Sequence, residues 1–588
     1  MPPPCQIACR SINKPALGHN GWQGFSPKTE CLKKGDRPFN ARPVDCDITI
    51  EHDVEIVVRD GCRLYVDIYR PTNAKSKVPA ILAYSPFGKK FSGLKMLPAT
   101  PWMCGVTPED ISGLEKFEGP DPARWCARDF AIVNVDGRGS GHSDGTVCIM
   151  GTQEAEDGYD VVEAIAKMGW CNGNVGLAGN SHLAIVQWFI AQLQPLSLKA
   201  IAPWEGCGDL YREQFVRGGI FNMSNFNLIA TRIVQGNHGV EDFAEMYRRT
   251  NGGLMNAYWA DKRPDMTKIK IPTYITGSEF SSIHTMGSLR GWMEIDTEDK
   301  WLRWAGFQEW HDLWAIPETN EELMDFFDFF LKIQGEQNGW RERTPKVRLS
   351  LLQMGRKEPI QNLVVPDFPL PNTEYRSMFF HKDGTLSASV PTEESFVSYD
   401  SEKAASMVSF AHKFDQQTRL AGIPKAVVYM SCDALDDLCV SVQVRKLDCA
   451  GKPLIHLTIP FKRAQVQDPD DAPVNGLIIH TGSLGLLRAS HRHIDPTKSM
   501  HPQYPFHTHD RIEKVQPGTI VKLEIGIWAM GIHYDAGESI RVDVSGSNPL
   551  WPDMAETPGG MMDTNKGHHR VYLGGEHASH VVLPYTDL

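Results

Sequence analysis

A serine at the apex of a strand–turn–helix pattern constrains this chain more than any other feature. Residues 179–184 have the sequence Gly-Asn-Ser-His-Leu-Ala. The apolar stretch 174–178 precedes them and the apolar stretch 183–193 follows, which predicts a strand that turns sharply into a helix. Such a turn exposes the serine hydroxyl at the positively polarised helix N-terminus. Ser181 is therefore the candidate nucleophile, and the alternative is a serine that merely fits the turn.

Length and charge narrow the classes of protein to consider. A chain of 588 residues is expected to form about two or three domains. Its 41% hydrophobic and 22% charged residues are typical of soluble globular proteins. The net charge of −12 argues against nucleic acid as a partner. No apolar run could span a bilayer and no secretory signal is visible, so we expect a cytoplasmic protein without a membrane partner.

Three patterns in the sequence could indicate a cofactor or a metal, and we interpret none of them as a binding site. The 13 cysteines include no Cys-x-x-Cys pair, which favours reduced, mostly buried thiols. The glycine-rich loop 136–145 lacks the Lys-Ser/Thr that a phosphate-binding loop needs. The histidines between residues 491 and 509 are interpreted below as structural. We expect no cofactor and no metal.

The order of apolar segments predicts the organisation of the chain. Residues 1–45 are rich in Pro, Gly and Lys and predict an irregular arm. In residues 46–204 short apolar strands alternate with helices, as they do again in residues 266–344, which predicts βαβ units and a mainly parallel sheet. Residues 205–265 are aromatic-rich with helical stretches. They are predicted to form a cap at the carboxyl edge of the sheet, and the alternative is ordinary packing.

The sequence changes character near Pro345. From there to the last residue, short β segments alternate with turn signals. Such a pattern is typical of an all-β sandwich. Residues 345–588 are therefore predicted to form a jelly roll.

Short segments spread over most of the chain carry a family resemblance. The first is Leu-Tyr-Val-Asp-Ile-Tyr-Arg-Pro at 64–71. The others, in order, are 79–89, 134–145, 154–160, 170–176, 179–188, 485–492, 517–518 and 536–538. Together they resemble the CocE/NonD-type hydrolases of the Xaa-Pro dipeptidyl-peptidase-like family. The resemblance implies an α/β fold, namely an α/β-hydrolase core with a helical cap, plus an all-β C-terminal jelly-roll domain.

The family pattern also explains the serine motif. Members have Gly-x-Ser-Tyr-x-Gly, so Ser181 matches the nucleophile and His182 stands where Tyr is usual. Ala184 stands where Gly is expected, and its small size is sufficient for a close approach of strand and helix. By the same resemblance, the histidines in 491–509 belong to the jelly roll and the domain boundary.

The donors of the oxyanion hole differ from the family pattern. Members donate a Tyr hydroxyl from a Pro-Tyr pair, whereas this chain has Pro86-Phe87. The backbone N–H of His182 remains, and Tyr84 lies close in sequence. Loss of one donor typically costs about 100- to 1000-fold in rate. Phe87 is interpreted as an apolar wall of the pocket.

The acid of the triad has several candidates. Members carry an Asp in a Gly-x-x-Asp turn, and that position falls near Ser281 in this chain. Glu279 lies two residues earlier and is the candidate we favour, as orienting acid or as a plain surface carboxylate. A shifted Asp296 is the alternative.

The base is expected in the loop after the last core strand, within residues 300–312. The histidine found there is His311, followed by Asp312, and we take His311 as the candidate base. His284 and His182 are the other candidates. A lone loop histidine also has a structural interpretation.

These residues predict an enzyme that acts on a small, largely apolar molecule. The default reaction is ester or amide hydrolysis, or acyl transfer, through Ser181. The alternative is a hydrolase fold used for cyclisation, isomerisation or elimination in small-molecule biosynthesis, because Phe87 replaces the oxyanion Tyr. A binding or scaffold protein would leave the serine turn without a purpose. The family also allows a homodimer.

Overall fold

A large mixed sheet forms the frame of the first two thirds of the chain. The computed structural model describes residues 6–549 and 565–588, apart from the side chains of Ser224 and Asn225. The strands in this part are β1 (Cys9–Arg10), β2 (Lys28–Leu32), β3 (Ile48–Val57), β4 (Arg63–Pro71), β5 (Val78–Ser85), β6 (Ala131–Asp136), β7 (Cys171–Asn180), β8 (Leu198–Trp204), β9 (Val216–Arg217), β10 (Ile220–Phe221), β11 (Val240–Glu241), β12 (Thr273–Gly277), β13 (Lys300–Trp304), β14 (Val347–Leu351) and β15 (Ile360–Val365).

The large sheet has 11 strands in the order β15-β14-β13-β12-β8-β7-β5-β6-β4-β3-β2. From β14 to β6 every neighbouring pair is parallel, as the alternation of strands and helices predicts. Strands β5 and β6 are buried throughout, which explains their continuous apolar sequences.

The register of the parallel strands brings four strand ends to one place. Asn180 at the end of β7 pairs with Trp204 at the end of β8. Thr276 of β12 also pairs with Trp204, and Gly277 pairs with Trp304 at the end of β13. The segments that follow these four strands therefore start side by side at the carboxyl edge of the sheet.

Helices pack against this sheet. They are α1 (Gly93–Met96), α2 (Pro122–Trp125), α3 (Thr152–Ala166), α4 (His182–Ala191), α5 (Ser224–Leu228), α6 (Phe243–Arg248), α7 (Ala257–Asp261), α8 (Thr285–Glu294), α9 (Pro317–Leu331) and α10 (Trp340–Arg343). Every residue of α4 is buried, because this helix is apolar on all sides and lies inside the core. Helix α9 is amphipathic and buries Phe326 and Phe327.

The segment 205–265 and the N-terminal arm pack together through small sheets. Strand β9 pairs with β10 within the segment, and β1 of the arm pairs with β11. Stacked rings fill its interior, with Phe215 and Phe243 centroids 4.1 Å apart. The arm, predicted to be irregular, also adds β2 to the edge of the large sheet beside β3.

The remaining strands form an all-β sandwich with its own apolar core. The elements of this part are β16 (Glu374–Phe380), β17 (Leu386–Ser387), β18 (Ser395–Asp400), β19 (Met407–Lys413), β20 (Thr418–Gly422), β21 (Lys425–Cys432), β22 (Cys439–Leu447), β23 (His456–Leu457), α11 (Phe461–Ala464), β24 (Ile479–His480), β25 (Leu484–Arg488), β26 (Val521–Gly526), β27 (Met530–Tyr534), β28 (Ser539–Ser545), β29 (His568–Leu573) and β30 (His580–Thr586). A nine-stranded and a four-stranded sheet make up the sandwich.

The core sheet continues beyond residue 345, where the sequence changes character. Strand β14 pairs in parallel with β13, and β15 returns antiparallel to β14. The sequence assigns these residues to the sandwich because both are short β segments, whereas pairing partners cannot be read from such a pattern. Across the described residues, no helix combines the length and apolar character that crossing a bilayer requires.

Candidate active site

Ser181 occupies a strained turn between β7 and α4. Its backbone angles are φ 49° and ψ −117°, which place it in the left-handed half of the Ramachandran plot. The backbone N–H of Ser181 donates to the carbonyl of Glu205 at 2.9 Å, which ties the turn to the end of β8. The side chain stays partly exposed while its neighbours are buried. The structure thus places Ser181 at the strand–helix turn that the sequence predicts, and its role as nucleophile stays a prediction.

Small residues let the turn close. Gly179 has φ 142°, and a Cβ atom there would lie 2.7 Å from the carbonyl oxygen of Glu118. A Cβ atom on Gly206 would lie 3.1 Å from Cβ of Ala184. The backbone after β8 therefore packs directly on α4, which explains why position 184 carries a small residue.

The loop after β5 forms one wall of the site. The ring of Phe87 packs edge-on against the ring of His182 at 5.4 Å, so its apolar side chain lies beside the helix that follows Ser181. The ammonium group of the buried Lys116 donates to the carbonyls of Ser85, Phe87 and Val135, which fixes the loop. Burial lowers the pKa of Lys116 to about 7.

The other predicted oxyanion residues, His182 and Tyr84, are both buried. Nε2 of His182 lies 3.0 Å from Oε1 of Glu154, so its ring is held by a carboxylate while its backbone N–H faces the turn. The hydroxyl of Tyr84 is buried and makes no hydrogen bond within the described part of the chain. Burial raises the pKa of Tyr84 well above its ordinary value.

A glutamate that the sequence did not indicate lies at the serine. The carboxyl group of Glu118 faces the Ser181 side chain and the backbone N–H of His182. Its Oε1 accepts from Trp310 Nε1 at 3.3 Å. Burial raises the pKa of Glu118 well above its ordinary value, and the charge of Glu309 raises it further. The side chain is only 3% exposed.

A second group of titratable side chains follows β8, β12 and β13. Oε2 of Glu205 accepts from Ser278 Oγ at 3.0 Å, and oxygen atoms of the Glu205 and Glu309 carboxyl groups lie within 4.8 Å of each other. Nδ1 of His284 lies 3.5 Å from Oε2 of Glu309. Neither ring nitrogen of His284 makes a hydrogen bond among the described residues. The register of the strand ends is what brings these three loops together.

The charge state of this group follows from its burial. Burial raises the pKa of Glu309 to about 7 and raises that of Glu205 well above its ordinary value. Burial lowers the pKa of His284 to about 4, so its imidazole is neutral at pH 7. Ligand atoms of these three residues lie within 4.8 Å of one another, a spacing that a metal ion could also bridge. We interpret the contact between the two carboxyl groups as a shared proton.

The structure places the predicted acid and base elsewhere. Oε2 of Glu279 accepts from the backbone N–H of Gly531, and its Oε1 lies 3.4 Å from His480 Nε2, so the side chain faces the β-sandwich. Burial raises the pKa of Glu279 to about 8. Nδ1–H of His311 donates to the carbonyl of Gly105 at 3.0 Å. Among the described residues neither side chain hydrogen bonds to Ser181, and their catalytic roles stay predictions.

The structure also shows where the other candidate residues lie. Asp296 is an exposed residue paired with Lys270. Oγ of Ser281 accepts from the backbone N–H of His284, so this serine supports the loop that carries His284. Glu118 and Glu205 both have positive φ, at 72° and 61°. No sequence signal marks a glutamate in that conformation, which is why both residues were missed.

Family descriptions match most of the chain. X-Pro dipeptidyl-peptidase (S15 family) matches residues 60–311, which include Ser181. X-Pro dipeptidyl-peptidase C-terminal non-catalytic domain matches residues 338–582, which include most of the β-sandwich. The second span also includes β14 and β15, which belong to the core sheet.

Individual proteins are also similar to this chain. The crystal structure of a CocE/NonD family hydrolase from Staphylococcus aureus matches with a TM-score of 0.82 and 31% identity, covering 92% of this chain and 94% of that one. Cocaine esterase from Rhodococcus sp. (strain MB1 Bresler) is 32% identical over 169 residues, which span 29% of this chain and only 26% of the esterase. An alpha-amino acid ester hydrolase, 15% identical with a TM-score of 0.67, shares the fold and covers 92% of this chain and 97% of its own.

Proposed function

Since this chain belongs to the CocE/NonD family of Xaa-Pro dipeptidyl-peptidase-like serine hydrolases, we propose that it hydrolyses an ester or amide of a small, largely apolar acid through Ser181. The observation that carries the proposal is the strained turn at Ser181, with φ 49° and the N-terminus of α4 behind it. The strain holds the hydroxyl at the carboxyl edge of the sheet, and the N–H of His182 points to the same place.

His284 is the base in this proposal. It is 3% exposed, its imidazole is neutral at pH 7, and both nitrogens are without hydrogen bonds among the described residues. Glu309 at 3.5 Å can orient Nδ1–H and stabilise the imidazolium ion once it forms. His284 follows β12, one strand earlier than the family position of the base, and the carboxyl groups of Glu205 and Glu309 follow β8 and β13.

The proposed reaction has two steps, acylation of Ser181 and hydrolysis of the acyl-enzyme. His284 takes the proton of Ser181 as Oγ bonds to the carbonyl carbon, and the electron pair of the C=O bond moves to oxygen. Return of that pair breaks the bond to the leaving group, which takes the proton from the imidazolium ion. Water repeats the sequence on the acyl-enzyme, so the acid leaves and Ser181 is regenerated.

The walls of the site support an apolar and uncharged acyl group. The rings of Phe87 and Phe117 lie 6.2 Å apart, and the ring of Trp310 lies 5.3 Å from Phe117. The nearby acidic side chains, Glu118 and Glu309, would repel an anionic substrate when ionised. A short aromatic or aliphatic ester fits these walls better than a charged peptide.

Labelling with a fluorophosphonate probe tests the proposal. We expect stoichiometric labelling of the native enzyme, none of Ser181→Ala, and hydrolysis of p-nitrophenyl butyrate that falls at least about 1000-fold in Ser181→Ala and His284→Ala. Ser197→Ala, a remote serine bonded to Glu163, is the matched control and should behave as the native protein. Unlabelled native enzyme, or turnover that survives Ser181→Ala, would favour the non-hydrolytic alternative.

A further inference from the structure

The site lacks the hydroxyl that the resemblance places in the oxyanion hole. Phe87 stands at that position, and its ring packs against the ring of His182, the residue whose backbone N–H remains as a donor. One N–H is a weak oxyanion hole, because loss of a single donor typically costs about 100- to 1000-fold in rate. A hydrolase with this turn needs a second donor from another element.

The carboxyl group of Glu118 lies where such a donor is needed. It faces both the Ser181 side chain, which attacks the carbonyl carbon, and the N–H of His182, which can donate to the oxyanion that forms. The loop that carries it is fixed, because the carbonyl of Glu118 accepts from the N–H of Asn180 at 2.9 Å. Trp310 Nε1, 3.3 Å from Oε1, fixes the carboxyl group itself.

The surroundings of Glu118 favour a neutral carboxyl group. Phe117, its chain neighbour, packs against the rings of Phe87 and Trp310. The charged side chain that acts on it from the loop after β13 is Glu309, which has the same sign. Lys116, two residues earlier, directs its ammonium group to the carbonyls of Ser85, Phe87 and Val135 instead. A neutral carboxyl group is a hydrogen-bond donor, whereas a carboxylate is not.

We propose that the protonated carboxyl group of Glu118 donates a hydrogen bond to the substrate oxyanion, in place of the tyrosine hydroxyl that this chain lacks at Phe87. The substrate carbonyl oxygen enters between the N–H of His182 and the O–H of Glu118, and displaces the contact between Glu118 and that N–H. The proton remains on Glu118 throughout, so the balance of the reaction is unchanged. The inference rests on the proposed function, since it requires attack by Ser181.

Three variants separate donation from mere positioning. Glu118→Ala removes the donor and should slow p-nitrophenyl butyrate hydrolysis by about 100- to 1000-fold. Glu118→Gln keeps an N–H donor that cannot ionise, so most activity should remain. Phe87→Tyr in the Glu118→Ala background returns a hydroxyl to the family position and should recover at least about 10-fold of the loss.

The pH profile gives a second readout. Ionisation of Glu118 removes the donor, so activity of the native enzyme should fall on the alkaline side, and this fall should be absent in Glu118→Gln. Glu115→Gln is the matched control, because Glu115 lies in the same loop but is bound by the N–H groups of Gly93 and Gly113. Its pH profile should keep the native shape.

The outcomes are distinguishable. Native activity in Glu118→Ala would overturn the inference. Low activity in Glu118→Ala would also overturn it if activity is equally low in Glu118→Gln and in the Phe87→Tyr/Glu118→Ala double variant, and all of these proteins keep the native unfolding temperature. If Glu118→Ala does not fold, the comparison of Glu118→Gln with the native pH profile decides. Absence of fluorophosphonate labelling in the native enzyme would instead refute the proposed function.

Discussion

The contact between Gly206 and Ala184 predicts an energetic coupling across the serine turn. In Gly206→Ala the new Cβ atom would lie 3.1 Å from Cβ of Ala184, 3.1 Å from N of Ile185 and 3.2 Å from C of Ala184. These distances are shorter than van der Waals contact, and overpacking of this kind costs about 1–3 kcal/mol. The unfolding temperature of the core should fall by about 2–12 °C, at about 2–4 °C per kcal/mol.

The matched second change is Ala184→Gly, which removes one of the three atoms in that contact. Alone it should destabilise by about 1–2 kcal/mol, because a buried methyl group is lost and a glycine enters a helix. Combined with Gly206→Ala, it relieves the Cβ–Cβ contact, while the contacts with backbone atoms remain. We therefore expect the double variant to be about 1 kcal/mol more stable than the sum of the single effects.

Thermal unfolding of the four proteins and the rate of fluorophosphonate labelling measure this cycle. Labelling should slow in Gly206→Ala, because the carbonyl of the preceding Glu205 holds the N–H of Ser181. Gly169→Ala is the control, since a Cβ atom there meets nothing within 4 Å. Strict additivity of the two changes, or a Gly206→Ala variant as stable as the control, would refute the close packing inferred at position 184.

Further variants test other contacts around the site. Gly179→Ala, whose Cβ would meet the Glu118 carbonyl at 2.7 Å with φ 142°, should destabilise by more than about 3 kcal/mol and abolish labelling; a native unfolding temperature would contradict this. Burial holds the pKa of Glu279 at about 8, above its unfolded value of 4.5. The contribution of Glu279 to the free energy of unfolding is therefore greatest below pH 4.5 and decreases by about 1.4 kcal/mol per pH unit up to pH 8. Urea unfolding of Glu279→Gln should therefore depend less on pH, with labelling unchanged. Arg303→Met breaks the buried pair with Asp312 and should cost about 3–5 kcal/mol by the same assay, whereas an unchanged midpoint would mean that the pair is not formed.

The α/β core was predictable because its signals are local. The conformation of continuous apolar strands such as 78–85, and of the Gly-x-Ser turn at 179–184, can be predicted from their local sequence. Their order along the chain implies a parallel sheet. The positions of Ser181 and Phe87 follow from that frame. The assignment of β14 to the sandwich was wrong, because the sequence of a strand does not show which strand it pairs with. Here β14 pairs with β13.

The proposed partners of the serine could not be predicted in the same way. Counting from the family position leads to His311, but the loop after β13 turns this side chain toward Gly105 and presents Glu309 to His284 instead. A difference of two residues in one loop thus decides which side chain lies beside His284. Glu118 is further removed, because its approach to Ser181 depends on a main-chain bond to Asn180 that no local pattern encodes.

Three residues with positive φ, Glu118, Ser181 and Glu205, are joined through their backbones at the strand ends. The carbonyl of Glu118 binds the N–H of Asn180, and the carbonyl of Glu205 binds the N–H of Ser181. Each such conformation costs about 1–3 kcal/mol and persists only where surrounding contacts fix it. Because the same two glutamates supply buried carboxyl groups, the backbone bonds that maintain the serine turn also hold those groups away from water. The strain at Ser181 and the raised pKa values of Glu118 and Glu205 therefore have one structural origin, and loosening either backbone bond should weaken both.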